Sequence, residues 1–92
     1  MKVRQQMKIT GRVQGVGFRY TARNAALYLG LTGWVKNEYD GSVTMEVQGE
    51  KERIEEMLAL IDKGTFIEIE HIFRQTIPLN TGDCYFEIKD EW

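Results

Sequence analysis

The sequence has few of the residues that build disulfides and metal centres. It contains a single cysteine, Cys84, and a single histidine, His71, in 92 residues. A lone cysteine excludes an internal disulfide and is typical of proteins from reducing compartments. Histidine, cysteine and carboxylate side chains do not cluster at metal-ligand spacing. We therefore expect no metal site, and we expect His71 to be a surface or sheet residue and Cys84 a small packing residue.

Long apolar runs and a strong excess of charge are also missing. Residues 1–6 contain no apolar stretch of signal-peptide length, and no window approaches a membrane span. We therefore expect a cytoplasmic protein with no membrane partner. A net charge of −2 gives no broad positive surface, so we expect no nucleic-acid partner. Length and composition predict one globular domain over residues 1–92, with a monomer as the default state.

Periodic patterns of apolar residues divide the chain into strands and helices. The predicted order is a strand over 7–13, a helix over 18–29 ended by Gly30, strands over 31–36 and 43–47 joined by a turn at Asp40-Gly41, a helix around 54–61, a strand over 67–77 and a short strand over 85–88. This order predicts an α+β fold of the split βαβ type, in which two helices cover one face of a mainly antiparallel sheet.

The predicted topology brings two polar residues to one edge of the sheet. A crossover helix makes the first and second strands parallel, with the third strand inserted between them. The carboxyl ends of the first two strands then share an edge. Arg19 follows the first of these ends and Asn37 lies at the second, so we expect the two side chains to be neighbours.

The turn over residues 14–19 has the features of an anion site. Glycine at positions 15 and 17 allows backbone angles at which successive N–H groups can converge, and the following helix adds its unpaired N-terminal donors. Arg19 in the first helical turn opposes the helix dipole, and a bound anion would offset that penalty. A glycine-rich turn alone can simply close a strand–helix corner, but the arginine favours phosphate binding.

Better-known phosphate motifs do not fit this turn. Tyr20 occupies the position of the third glycine in a dinucleotide fingerprint, and no Gly-Lys-Ser/Thr follows, which excludes a Walker-type loop. A cysteine phosphatase would need a cysteine at position 13, where the sequence has Val13.

Asn37 has two possible roles. Asparagine before a hairpin is common as a turn residue. Beside an anion site, however, its amide can accept a hydrogen from water and hold that water in line with phosphorus. No evident general acid lies near Arg19 or Asn37 in the sequence. A leaving carboxylate needs no proton, so the arrangement suits mixed carboxylic–phosphoric anhydrides better than phosphate esters.

The residues Gly11 to Arg19, together with Gly33-Trp34-Val35-Lys36-Asn37-Glu38-Tyr39-Asp40-Gly41-Ser42-Val43, closely resemble the two signatures of the acylphosphatases. The resemblance covers nearly the whole chain from about Met7. It implies a ferredoxin-like fold and hydrolysis of acyl phosphates to a carboxylate and inorganic phosphate, without metal or cofactor. Residues 1–6 extend beyond the usual start of the family, and we expect them to be mobile or an edge-strand extension.

The resemblance also implies roles for particular residues. The backbone N–H groups of Gly15, Val16, Gly17 and Phe18 would bind the phosphate together with Arg19. Asn37 would position the attacking water, and the phosphate of the substrate would take the proton. Inorganic phosphate or sulfate would then compete with a small acyl phosphate substrate. The alternative is a non-catalytic ferredoxin-like module that binds RNA or carbamoyl phosphate, because fold alone does not decide function.

Overall fold

The computed structural model describes residues 1–89 and contains five strands and two helices. The elements are β1 (Lys2–Arg12), α1 (Phe18–Leu29), β2 (Thr32–Asn37), β3 (Val43–Glu50), α2 (Lys51–Asp62), β4 (Glu68–Ile77) and β5 (Phe86–Lys89). This order confirms the predicted split βαβ fold with a short extra strand. Residues 90–92, which the predicted single domain includes, lie outside the described residues. Neither helix between residues 1 and 89 is long and apolar enough to cross a membrane.

The five strands form one sheet in the order β4-β1-β3-β2-β5. β3 is antiparallel to both β1 and β2, so β1 and β2 run in the same direction on either side of it. β4 pairs antiparallel with β1, and β5 pairs parallel with β2. The inserted position of β3 confirms the topology predicted from the sequence, and it places the carboxyl ends of β1 and β2 at the same edge of the sheet.

The hydrophobic core lies between the sheet and the two helices. Alternate residues of the central strands, such as Met7, Ile9 and Met45, are fully buried. α1 contributes Phe18 at its start, which is 1% exposed. Burial of an aromatic side chain of this size contributes roughly 1.5–3 kcal/mol, so Phe18 fixes the beginning of α1 against the sheet. Gly30 ends α1 in the left-handed conformation with φ 69°, as predicted.

Residues 4–6 of the N-terminal segment lie in an interior strand, which corrects the predicted edge-strand extension. β1 begins at Lys2, which pairs with Glu50 of β3, and from Arg4 onward β1 also pairs with β4. Arg4 is only 4% exposed, and its guanidinium bonds Glu46 and Asp83 at 2.8–3.0 Å. These bonds outweigh the burial that disfavours its charge, so the pKa of Arg4 is raised. The segment is therefore an integral part of an interior strand.

The connection between β4 and β5 folds over the face of the sheet that the helices leave open. Asn80 and Gln48 exchange two hydrogen bonds, at 2.8 and 3.0 Å, and Asp83 bonds Arg4. Cys84 in this connection is exposed and its thiol contacts the carbonyl of Gly82 at 3.4 Å, so its prediction as a packing residue is wrong. The hydrogen bonds of Asn80 and Asp83 hold this connection against the sheet.

Candidate active site

The loop between β1 and α1 depends on glycine at two positions. Gly15 has φ 73° and Gly17 has φ 82°, both in the left-handed region that other residues adopt only at an energetic cost. Within residues 1–89, no atom other than those of the glycine and its two chain neighbours lies within 4 Å of the position that a Cβ would occupy at Gly15 or Gly17. The requirement for glycine therefore comes from the backbone angles and not from crowding. Gly17 is also the N-cap of α1. Because glycine has no side chain, the first N–H groups of the helix receive no hydrogen bond from a capping side chain.

A small pocket of about 110 Å³ opens where this loop meets the end of β2. The residues that line it are Val13, Gly15, Gly17, Phe18, Arg19, Tyr20 and Asn37. The structure thus brings Arg19 and Asn37 into one pocket, together with three of the four loop residues predicted as phosphate donors. The side chain of the fourth, Val16, is half-buried and packs against the hydrophobic core.

Arg19 is the second residue of α1 and is half-buried. The first turn of α1 contains no acidic side chain that would complement the positive end of the helix dipole. Helix dipole and guanidinium therefore contribute positive potential at the same end of α1. This combination favours a negatively charged ligand.

Asn37 is the last residue of β2 and pairs with Val43 of β3. Its Oδ1 atom is buried and accepts no hydrogen bond from any group within residues 1–89. A buried acceptor left without a donor costs about 1–3 kcal/mol. Asn37 also lines the pocket beside Arg19, so its amide group belongs to the wall of that pocket.

The turn between β2 and β3 is held by its own polar groups. The backbone N–H of Ser42 donates to the carboxylate of Asp40 at 2.9 Å, its hydroxyl donates to the same oxygen, and Lys8 lies 3.0 Å from the other oxygen. The Ser42 hydroxyl, then its N–H and Lys8, hold the pKa of Asp40 well below its ordinary value. Gly41 has φ 92°, which confirms the predicted Asp-Gly turn.

Two polar residues at or beside the pocket were not predicted from the sequence. Tyr20 lines the pocket although its side chain is largely exposed. Gln14, the residue before the glycine loop, donates from Nε2 to the carbonyl oxygens of Glu38 at 2.7 Å and Ser42 at 2.9 Å. The only signal in the sequence is that Gln14 stands next to the glycine loop, and this does not identify its partners.

The other groups considered in the sequence lie elsewhere. His71 is exposed on β4, where its ring is 5.9 Å from that of Phe73, which confirms its prediction as a surface residue. In residues 1–89, no group of three or more histidine, cysteine or carboxylate side chains could hold a metal ion. A larger groove of about 390 Å³ lies on the open face of the sheet, between Lys8 and Phe73, and shares no lining residue with the pocket of Arg19.

Comparison with known proteins agrees with this architecture. The family model described as Acylphosphatase matches residues 5–88. The chain is 43% identical over 89 residues to an acylphosphatase of Clostridium acetobutylicum, covering 96% of this chain and 98% of the relative. It is 52% identical over 81 residues to an acylphosphatase of Geobacillus kaustophilus, covering 87% and 86% of the two chains.

A solved structure shows the same fold. The crystal structure of acylphosphatase from Bacillus subtilis superposes with a TM-score of 0.87 at 31% identity, covering 98% of this chain and 100% of that one. The relatives are thus enzymes of the same length and architecture, which supports a hydrolase and not a non-catalytic binding module. Because the family model and the relatives match nearly the whole chain, the chain belongs to the acylphosphatase family.

Proposed function

We propose that the chain hydrolyses acyl phosphates in the pocket between the β1–α1 loop and the end of β2. In this proposal Arg19 and the loop N–H groups hold the phosphoryl group, and Asn37 orients the attacking water. The observation that carries the proposal is that Arg19, Asn37 and the glycine loop line the same pocket. Family membership supports the reaction class.

The phosphoryl end of the substrate would occupy the positive end of α1. Backbone N–H groups of residues 15–18 would bind its oxygens, with the helix dipole favouring the negative charge. The guanidinium of Arg19 presents a planar fork that matches two phosphoryl oxygens. Because these donors are fixed before the substrate arrives, they can stabilise charge in the transition state without reorganising.

The water would be held on the other side of the pocket by Asn37. A hydrogen bond between the water and the amide of Asn37 would orient the water so that a lone pair is directed at phosphorus. As the new P–O bond forms, the bond from phosphorus to the acyl oxygen breaks and its electron pair leaves on the carboxylate. The proton of the water passes to a phosphoryl oxygen, so the products are a carboxylate and inorganic phosphate.

The pocket suits a leaving group that needs no proton. Its lining residues provide a guanidinium, an amide and a phenol, but neither a carboxyl nor an imidazole group among the described residues. A carboxylic acid has a pKa near 4, so a carboxylate leaves unprotonated at neutral pH, whereas an alkoxide does not. We therefore propose small acyl phosphates as substrates, with the chain acting as a monomer and with phosphate or sulfate as competing anions.

Hydrolysis of benzoyl phosphate tests the assignment. Arg19→Ala and Asn37→Ala should each lower activity at least ~10²-fold, the loss expected on removing one preorganised group at an oxyanion. Arg23 and Asn24 are exposed residues of the same helix and provide matched controls. Arg23→Ala and Asn24→Ala should keep activity within about twofold of the unmodified protein. Near-normal turnover by either pocket variant would refute the assignment.

A further inference from the structure

The side chain of Gln14 connects the two halves of the pocket. Its Nε2 atom donates both of its hydrogens to the β2–β3 turn, one to the carbonyl of Glu38 at 2.7 Å and one to the carbonyl of Ser42 at 2.9 Å. Gln14 itself is half-buried. One primary amide therefore bridges the glycine loop and the hairpin turn.

The position of this bridge in the chain relates it to the two pocket residues. Gln14 lies in the β1–α1 loop between Val13 and Gly15, which both line the pocket. Glu38 immediately follows Asn37, which carries the unpartnered acceptor. The bridge thus joins the loop itself to the residue next to Asn37, so it constrains the separation between them.

The turn does not need Gln14 to keep its own shape. The N–H of Glu38 donates to the carbonyl of Ser42 at 2.9 Å, and the N–H of Gly41 donates to the carbonyl of Glu38 at 3.2 Å. Asp40 adds two further bonds to Ser42. Both carbonyls that Gln14 contacts already have a backbone partner, and the glutamine uses their second lone pairs. Loss of the bridge should therefore move the turn relative to the loop and leave the turn itself intact.

We propose that Gln14 is a positioning residue of the hydrolysis reaction, which sets the placement of the Asn37 amide relative to the phosphate-binding loop. The inference rests on the proposed roles of Arg19 and Asn37. In-line attack is sensitive to displacements well below the size of an atom, and a misplacement of about 1 Å can cost up to ~10²-fold in rate. The loop and the start of α1 are also held by Phe18, which is 1% exposed, and by Val16, which packs against the core, so we expect the phosphate donors to keep their geometry without the bridge.

The first measurement is a comparison of kcat with KM. Gln14→Met keeps the length of the side chain and removes both donated bonds. We expect kcat for benzoyl phosphate to fall about tenfold, with KM and the inhibition constant of inorganic phosphate within about twofold of normal. Gln75→Met, at an exposed glutamine of β4, is the matched control and should change neither constant. A normal kcat in Gln14→Met, with the protein folded by circular dichroism, would overturn the inference.

The second measurement is a pH profile that a purely structural role would not produce. Gln14→Glu places a carboxylate against two carbonyl oxygens at neutral pH, and a protonated carboxyl can again donate one hydrogen bond. We expect kcat of Gln14→Glu to fall below that of Gln14→Met at pH 7. The ratio of its kcat to that of the unmodified protein should rise as the pH is lowered toward about 4.5. A ratio that stays constant over this range would contradict the proposed contact.

A double variant separates failure of this inference from failure of the proposed function. If Gln14 acts through Asn37, adding Gln14→Met to Asn37→Ala should lower kcat by less than about twofold, against tenfold in the unmodified background. A full tenfold loss in both backgrounds would show that Gln14 does not act through Asn37. Full activity of Asn37→Ala alone would instead reject the proposed function, whatever the Gln14 variants do.

Discussion

Replacing Asn37 by alanine should separate activity from stability. The Oδ1 atom of this residue is buried and accepts no hydrogen bond within residues 1–89. A buried acceptor without a donor disfavours the folded state, and such costs are often retained at functional sites. We therefore expect Asn37→Ala to be nearly inactive and yet at least as stable as the unmodified protein.

The magnitude follows from two opposing terms. Removing an unpartnered buried acceptor relieves a penalty of about 1–3 kcal/mol. Asn37 is only half-buried, so truncating its side chain forfeits packing worth less than about 1 kcal/mol. We expect the free energy of unfolding to rise by between zero and about 3 kcal/mol. The expected ~10²-fold loss in rate corresponds to about 2.7 kcal/mol of transition-state stabilisation.

Urea denaturation with linear extrapolation measures the stability term, and benzoyl phosphate hydrolysis measures the activity term. Asn24→Ala, at an exposed asparagine of α1, controls for the substitution and should change stability by no more than about 0.5 kcal/mol. A loss of more than about 1 kcal/mol in Asn37→Ala would refute the reasoning, because it would mean that the amide supports the fold.

Two further predictions concern the framework around the pocket. The pKa of Asp40 is lowered because its carboxylate accepts hydrogen bonds from the Ser42 hydroxyl and N–H and lies beside Lys8. The charged carboxylate therefore stabilises the fold above its ordinary pKa of 3.8, and this stabilisation is lost as the pH falls further. Urea denaturation can compare the stability of Asp40→Asn with that of the unmodified protein. The difference should be constant from pH 8 to about 5 and should shrink below pH 3.8. A difference that grows on acidification would contradict this assignment. Arg4→Met leaves Glu46 and Asp83 without their buried cation and should destabilise the protein by about 3 kcal/mol, whereas Lys2→Met at an exposed position should change stability little. A loss below about 1 kcal/mol for Arg4→Met would show that the two carboxylates find other partners.

Local patterns in the sequence were sufficient to predict the order and topology of the elements. Alternating and helical spacing of apolar residues predicted five strands and two helices, and the structure confirms their order. Strand ends were less accurate: β2 covers Thr32–Asn37, one residue later than the predicted 31–36. Such shifts arise because the last hydrogen-bonded pair depends on the partner strand, and the sequence of a single strand does not contain that information.

The errors have a common physical cause, which is contact between distant polar groups. Arg4 carries no apolar signal, and one of its partners, Asp83, lies 79 positions away in the sequence. The two acceptors of Gln14 are backbone carbonyls 24 and 28 positions away, so no residue type could indicate them. The presence of Arg19 and Asn37 at the same edge could be predicted, because the crossover connection determines which strand ends share an edge of the sheet.

Inhibition by inorganic phosphate gives the most direct test of the division of roles in the pocket. Arg19 is proposed to bind the phosphoryl group and Asn37 the water. Arg19→Ala should therefore raise the inhibition constant of phosphate at least ~10-fold, the loss expected for a charge-assisted hydrogen bond. Asn37→Ala should leave that constant within about twofold of normal. An equal loss of phosphate affinity in both variants would contradict the account, because Asn37 would then be holding the phosphate itself.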